Sequence, residues 1–271
     1  MRIWHQSMTV LDDLPVYRDA LAAHMSRIAR PGTEVVLHGV HAGTFPADYP
    51  VDDNAYPYIS SLHSNQWAAA AINAQQQGFD AYAMCTLPSP MIREIRTLVD
   101  IPVTGYGEAA AHIASMVGKR FGILTFVKQF PEMYLELNES YGLKDRCGGA
   151  AWTGFSFREV IAGYAEPGPL IERFTEAVRK MVSERGVDVI IAGSVPLTLL
   201  VAMQGVSRID GVPIIDGIAV TIKMAEMMAD LRSLTGLSAS RHGYFNAAPS
   251  PERLRQVMHF YGMSKFLDID H

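Results

Sequence analysis

Short apolar and β-branched runs alternate along the chain with longer amphipathic stretches. The runs at residues 2–5, 34–38, 81–85, 102–105, 120–125, 151–155, 187–193 and 213–216 predict strands. Between them, residues 14–29, 60–77, 90–98, 109–117, 131–141, 170–185, 197–203 and 218–231 carry the spacing of helices. Strands that read as unbroken apolar runs separated by helices predict parallel sheets covered on both faces. Eight such units suit either two doubly wound lobes or one eight-stranded barrel.

An internal repeat separates the two architectures. Gly78-Phe79-Asp80-Ala81-Tyr82-Ala83-Met84-Cys85-Thr86-Leu87-Pro88 resembles Gly186-Val187-Asp188-Val189-Ile190-Ile191-Ala192-Gly193-Ser194-Val195-Pro196, 108 residues further on. Each copy runs on through a helix to a second short strand, Ile101-Pro102-Val103-Thr104-Gly105 and Val212-Pro213-Ile214-Ile215-Asp216-Gly217. A spacing of that length fits two similar α/β lobes. The expected class is α/β: two pseudo-symmetric Rossmann- or flavodoxin-like three-layer lobes with parallel sheets and a cleft between them. The first lobe is expected over residues 1–107 completed by 217–271, and the second over 108–216. The stretch 39–57, rich in Gly, Pro and Asp, predicts one long functional loop.

Composition narrows the function classes. With 271 residues, 49% hydrophobic and 19% charged, the chain can build a large core and is not a disordered one. Twenty-three basic against 28 acidic residues leave a net charge of −5, which argues against a nucleic-acid partner. Two cysteines, Cys85 and Cys147, do not make a disulfide framework. The N-terminus enters a strand-like run without an apolar leader, and no apolar stretch approaches the ~20 residues of a membrane span. A cytoplasmic protein with no membrane partner is therefore expected.

In parallel sheets the chemistry collects beyond the carboxyl ends of the strands. Those ends hold His5, Gln6 and Ser7; His38 and His41; Cys85 and Thr86; Thr104; Thr125; Gly193 and Ser194; and Asp216, with His63 after the long loop. If the two repeats face each other, Cys85-Thr86 stands opposite Gly193-Ser194. Thr86 and Ser194, each expected just before a helix, suit an anion cradle or plain helix capping. His5, His41 and His63 offer a base. No metal is expected, because no HxH or HExxH spacing occurs.

The order and spacing of several short motifs resemble the aspartate/glutamate/hydantoin racemase superfamily, with hydantoin racemases the nearest branch. They are Gly78-Phe79-Asp80-Ala81, Asp100-Ile101-Pro102-Val103 with Glu108-Ala109-Ala110, Gly118-Lys119-Arg120-Phe121, Tyr141-Gly142-Leu143 with Arg146-Cys147, Gly186-Val187-Asp188 and Gly211-Val212-Pro213-Ile214-Ile215-Asp216-Gly217. The resemblance implies two lobes around a cleft, a small-molecule substrate (a cyclic amide or a carboxylate), no metal or organic cofactor, and a homo-oligomer. It also implies a pair of thiols, one after each repeat strand, which take a proton from one face of a carbon acid and return one to the other.

The positions the family gives to those thiols are Thr86 and Ser194 here, with Cys85 one residue early. Cys85, Thr86, Ser194, His5 and His41 are thus the candidate catalytic residues. Gln6, Ser7, Thr125, Gly193 and His63 are the candidate substrate-binding residues. A helix starting soon after Cys85 is expected to lower its pKa. Proton transfer at a carbon alpha to a carbonyl leads among the activities. A hydrolase, decarboxylating lyase or cis–trans isomerase using Cys85 or a His-activated water is the alternative, and a non-catalytic binding protein the third.

Overall fold

The computed structural model describes residues 1–45 and 50–267. Among the described residues, nine strands fall into two sheets. The first is all parallel, in the order β2-β1-β3-β4, from β1 (Arg2–Gln6), β2 (Glu34–His38), β3 (Ala81–Met84) and β4 (Val103–Gly105). The second runs β6-β5-β7-β9-β8, from β5 (Phe121–Thr125), β6 (Cys147–Trp152), β7 (Val189–Ala192), β8 (Arg208–Ile209) and β9 (Val212–Ile215). It is parallel except for the β8–β9 hairpin. Two open sheets, not a closed barrel, make this a two-lobe α/β fold.

The α-helices of the described residues surround the sheets: α1 (Pro15–Ile28), α2 (Pro50–Asn54), α3 (Pro57–Gln76), α4 (Ile92–Leu98), α5 (Tyr106–Val117), α6 (Phe130–Ser140), α7 (Phe157–Ala162), α8 (Gly168–Arg185), α9 (Val195–Met203), α10 (Gly217–Thr235) and α11 (Pro251–Phe260). Strand alternation sets the layers. Trp4, Tyr82 and Met84 pack with Trp67 and Ala71 of α3 and Ile95 of α4. Their neighbours Ile3, Ala81, Ala83 and Cys85 join the other core, with Tyr17 and Leu21 of α1 and Ile222 of α10. After β9, α10 packs against α5, β3 and β4.

Three local expectations need revision. The second-lobe edge strand begins at Cys147, not 151, so Gly148 and Gly149 lie within a strand whose register with β5 shifts beside Gly122. Cys147 is therefore a strand residue. The loop expected at 39–57 contains α2, and its residues 46–49 lie outside the described ones. No helix starts directly after Thr86, because Ser89 (φ 41°) and Met91 (φ 56°) hold the chain in an irregular turn until α4. Beyond these, a segment after α10 lies along the first sheet's helices. There Arg241 donates to the carbonyls of Arg96 and Val99, and Asn73 donates to the carbonyl of Phe266. Among the described residues no helix is long and apolar enough to cross a membrane.

Candidate active site

A cavity opens between the carboxyl ends of β3 and β7. Ser7, Cys85 and Thr86 come from the first-sheet side, and Gly193 and Ser194 from the second. Tyr17, Leu87, Phe126, Phe130, Tyr134 and Phe157 close much of the remaining surface. No charged side chain lines it among the described residues. Its polar groups are hydroxyls, one thiol and backbone amides.

The second wall depends on a glycine. A Cβ at Gly193 would stand 2.9 Å from the Leu124 carbonyl oxygen and 2.8 Å from Ile123 Cγ2. Without one, the Gly193 amide donates to Leu124 at 2.6 Å and the end of β7 lies tight against β5. The chain then turns into α9 with Ser194 as the extended N-cap residue. Its hydroxyl does not cap the helix, and it is buried without a hydrogen-bond partner. A buried hydroxyl left unpaired is costly in a folded chain. Ser194 Oγ is therefore available to a ligand beside the open amides of the α9 start.

Thr86 is in a similar state. Its hydroxyl reaches only the sulfur of Met8, a weak acceptor at 3.3 Å. Ser7 and Thr9 exchange a hydrogen bond of 2.9 Å on the same rim.

Cys85 reaches the cavity from below. It shares the face of Ala81 and Ala83, its amide donates to Gln6, and the residue is buried. Burial, reinforced by the negative charge of Asp216, pushes its thiol well above the ordinary range. This reverses the expected lowering, for a physical reason: no helix begins behind Cys85 to supply a positive dipole, and the surrounding core desolvates a thiolate. At neutral pH the group is a thiol.

The other candidates are not brought to this cavity. His5 is fully buried on the α1 side of β1, with neither ring nitrogen hydrogen-bonded, and burial lowers its pKa to about 3. His41 borders a separate crevice with Gln66, and its ring lies 5.3 Å from that of Phe266. His63 meets Asp53 at 3.2 Å. Gln6 takes a bond from Trp4 and donates to the Ser7 and Gly39 carbonyls, so its amide is occupied structurally. Thr125 accepts the Val127 amide beneath the cavity. His38, also at a strand end, stacks on Trp4 with ring centroids 3.3 Å apart. Among the described residues no group of three or more His, Cys, Asp or Glu could hold a metal ion.

Tyr134 and Tyr17 were not among the candidates. Tyr134 donates from α6 to the Gly193 carbonyl at 2.8 Å, and Tyr17 presents its ring to the cavity from α1. Both sit within apolar helical patterns, where an aromatic reads as core; the polar tip of a buried tyrosine was the available signal.

The family model described as Asp/Glu/Hydantoin racemase matches residues 15–225. The chain belongs to this family. It is 27% identical over 161 residues to the hydantoin racemase of Pseudomonas sp. (strain NS671), covering 59% of this chain and 63% of that protein. To the hydantoin racemase of Rhizobium meliloti it is 25% identical over 154 residues, 57% of this chain and 62% of that one. The matched region thus spans less than two thirds of these curated relatives. Among solved structures, allantoin racemase from Klebsiella pneumoniae superposes with a TM-score of 0.75 at 26% identity, over 92% of this chain and 94% of the other. The racemase-family fold accounts for the two lobes.

Proposed function

We propose that this family member is a racemase acting on a small cyclic amide of the hydantoin type, by proton transfer at the carbon alpha to a ring carbonyl. One observation carries the reading: a cavity at the paired strand ends holds Cys85, Thr86 and Ser194 and, among the described residues, has no charged lining side chain. A dicarboxylate would enter such a cavity without a cationic partner, whereas a neutral ring with amide N–H and C=O groups finds donors and acceptors. The hydantoin and allantoin racemases among the relatives support the same substrate class.

The chemistry divides between the walls. Cys85 is the titratable group: as thiolate its sulfur takes the proton from the carbon, and the electron pair of the C–H bond moves into the adjacent carbonyl. The resulting enolate oxygen is held by the Thr86 and Ser194 hydroxyls and the amides at the start of α9. A solvent water on the Ser194 side gives a proton to the opposite face, which inverts the centre and restores the carbonyl, and the hydroxide left behind recovers the proton from the Cys85 thiol. The desolvation that keeps Cys85 protonated at rest makes its thiolate a strong base once formed. No organic cofactor or metal enters this scheme.

The test is polarimetry with one enantiomer each of a 5-substituted hydantoin and of aspartate and glutamate. Decay of optical rotation for the hydantoin alone, with no change of mass, supports the reading. Decay only for the acidic amino acids removes the cyclic-amide assignment, and a new product mass indicates hydrolase or lyase chemistry.

A further inference from the structure

A second cavity lies at the carboxyl end of β9, on the side of α9 away from the candidate active site. Its mouth holds Arg27 of α1 and Asp216, and its floor is formed by Val201, Val206, Ile214 and Ile215. The imidazole of His24 separates the two charges. Arg27 Nη2 donates to His24 Nδ1 at 2.9 Å, and His24 Nε2 lies 3.0 Å from Asp216 Oδ2 without the alignment of a hydrogen bond. Guanidinium and carboxylate therefore sit no more than about 8 Å apart.

Each charge keeps unused capacity. Arg27 is exposed and makes no ion pair among the described residues, which leaves most of its fork of donors open. Asp216 Oδ1 caps α10 through the Ala219 amide, and its carboxylate, 29% exposed, can accept further bonds.

We infer that this cavity binds a free α-amino acid with a branched aliphatic side chain, its carboxylate on Arg27, its ammonium on Asp216 and its side chain on the aliphatic floor. The match is one of spacing and polarity. An ammonium and a carboxylate on one carbon, each at hydrogen-bond distance from its partner, bridge charges of that separation. A neutral ring or a lone anion would leave one of the two unmatched. The site also has the placement that open α/β sheets give to ligands, beyond the carboxyl end of a strand. It does not depend on the chemistry proposed for the first cavity.

Isothermal titration of the whole protein with leucine, and with leucinamide and 4-methylpentanoate as analogues lacking one charge, tests this. Saturable binding of leucine is expected, with each analogue and Arg27→Met weaker by roughly tenfold or more. Ala202→Trp, which fills the cavity from α9, should abolish binding, while Ser194→Leu in the other cavity should leave it unchanged. Thermal melts of the variants check that they fold. Absence of saturable heat with the wild type overturns the inference. So does binding that ignores Arg27→Met and Ala202→Trp, or binding lost in Ser194→Leu.

Discussion

Tyr134 holds the carbonyl of Gly193 from across the second lobe, its hydroxyl donating at 2.8 Å to the residue that ends β7 and precedes Ser194. The bond is buried, and it fixes the peptide from which Ser194 projects into the cavity. Tyr134→Phe keeps the ring packing and leaves that carbonyl unpaired. It should cost about 1–2 kcal/mol in urea unfolding and weaken substrate binding more than its modest loss of stability implies. An unchanged KM would mean that the Gly193–Ser194 turn holds its shape without the tyrosine.

Ser194 itself gives a sharper separation of fold from site. Its hydroxyl touches no protein partner, so Ser194→Ala should leave the melting temperature nearly unchanged or raise it. Turnover should fall by roughly ten- to a thousand-fold if the hydroxyl holds the developing oxyanion. Thermal melting and initial rates on the same preparations compare the two effects.

The buried imidazole of His5 predicts an acid limb of stability. Its pKa is lowered to about 3 in the folded chain from 6.5. Between those values the unfolded chain binds a proton that the folded chain does not, so stability falls as pH falls through that window. The full linkage is on the order of 5 kcal/mol. His5→Phe should flatten the dependence of unfolding free energy on pH between 6.5 and 3. A slope identical to wild type would exclude His5 as its source.

For Cys85 the direction is opposite. Burial holds the thiol protonated above the ordinary range, so above that range the unfolded chain releases a proton that the folded chain keeps. Stability from this group is full below the ordinary thiol pKa and declines as pH rises beyond it. Iodoacetamide at pH 8 should alkylate Cys85 at least roughly tenfold more slowly than a free thiol. The rate should keep climbing with pH, and substrate should protect. Fast alkylation at neutral pH would contradict the buried placement.

Much of the fold was legible because parallel strands are buried on both faces and show as continuous apolar runs, as Val189–Ala192 does. The hairpin at β8–β9 was also readable in principle. Asp210 and Gly211, both at positive φ, form the two-residue turn that an Asp-Gly pair favours, but β8 is only two residues long. Strand ends indicated where chemistry gathers without telling which crevice a side chain enters. Thus His38 lies on Trp4, His41 beside Phe266, and His5 in the core. The segment after α10 carries too little periodic apolar pattern to predict its path, which rests on backbone carbonyls met by Arg241. Alternation along β3 does place Cys85 with Ala83, and only the three-dimensional arrangement shows that this face also borders the cavity.

Central to the account is a proton moved by Cys85 at a carbon beside a carbonyl. One enantiomer of a 5-substituted hydantoin, incubated in deuterated buffer with wild type and with Cys85→Ser, tests it most directly by following deuterium at that carbon with proton NMR. Wild type should incorporate deuterium as optical rotation is lost, with no change in the ring. Cys85→Ser, still folded and still binding the hydantoin, should slow incorporation by orders of magnitude. Deuterium uptake at the wild-type rate in Cys85→Ser, or ring opening without uptake in the wild type, would contradict the account.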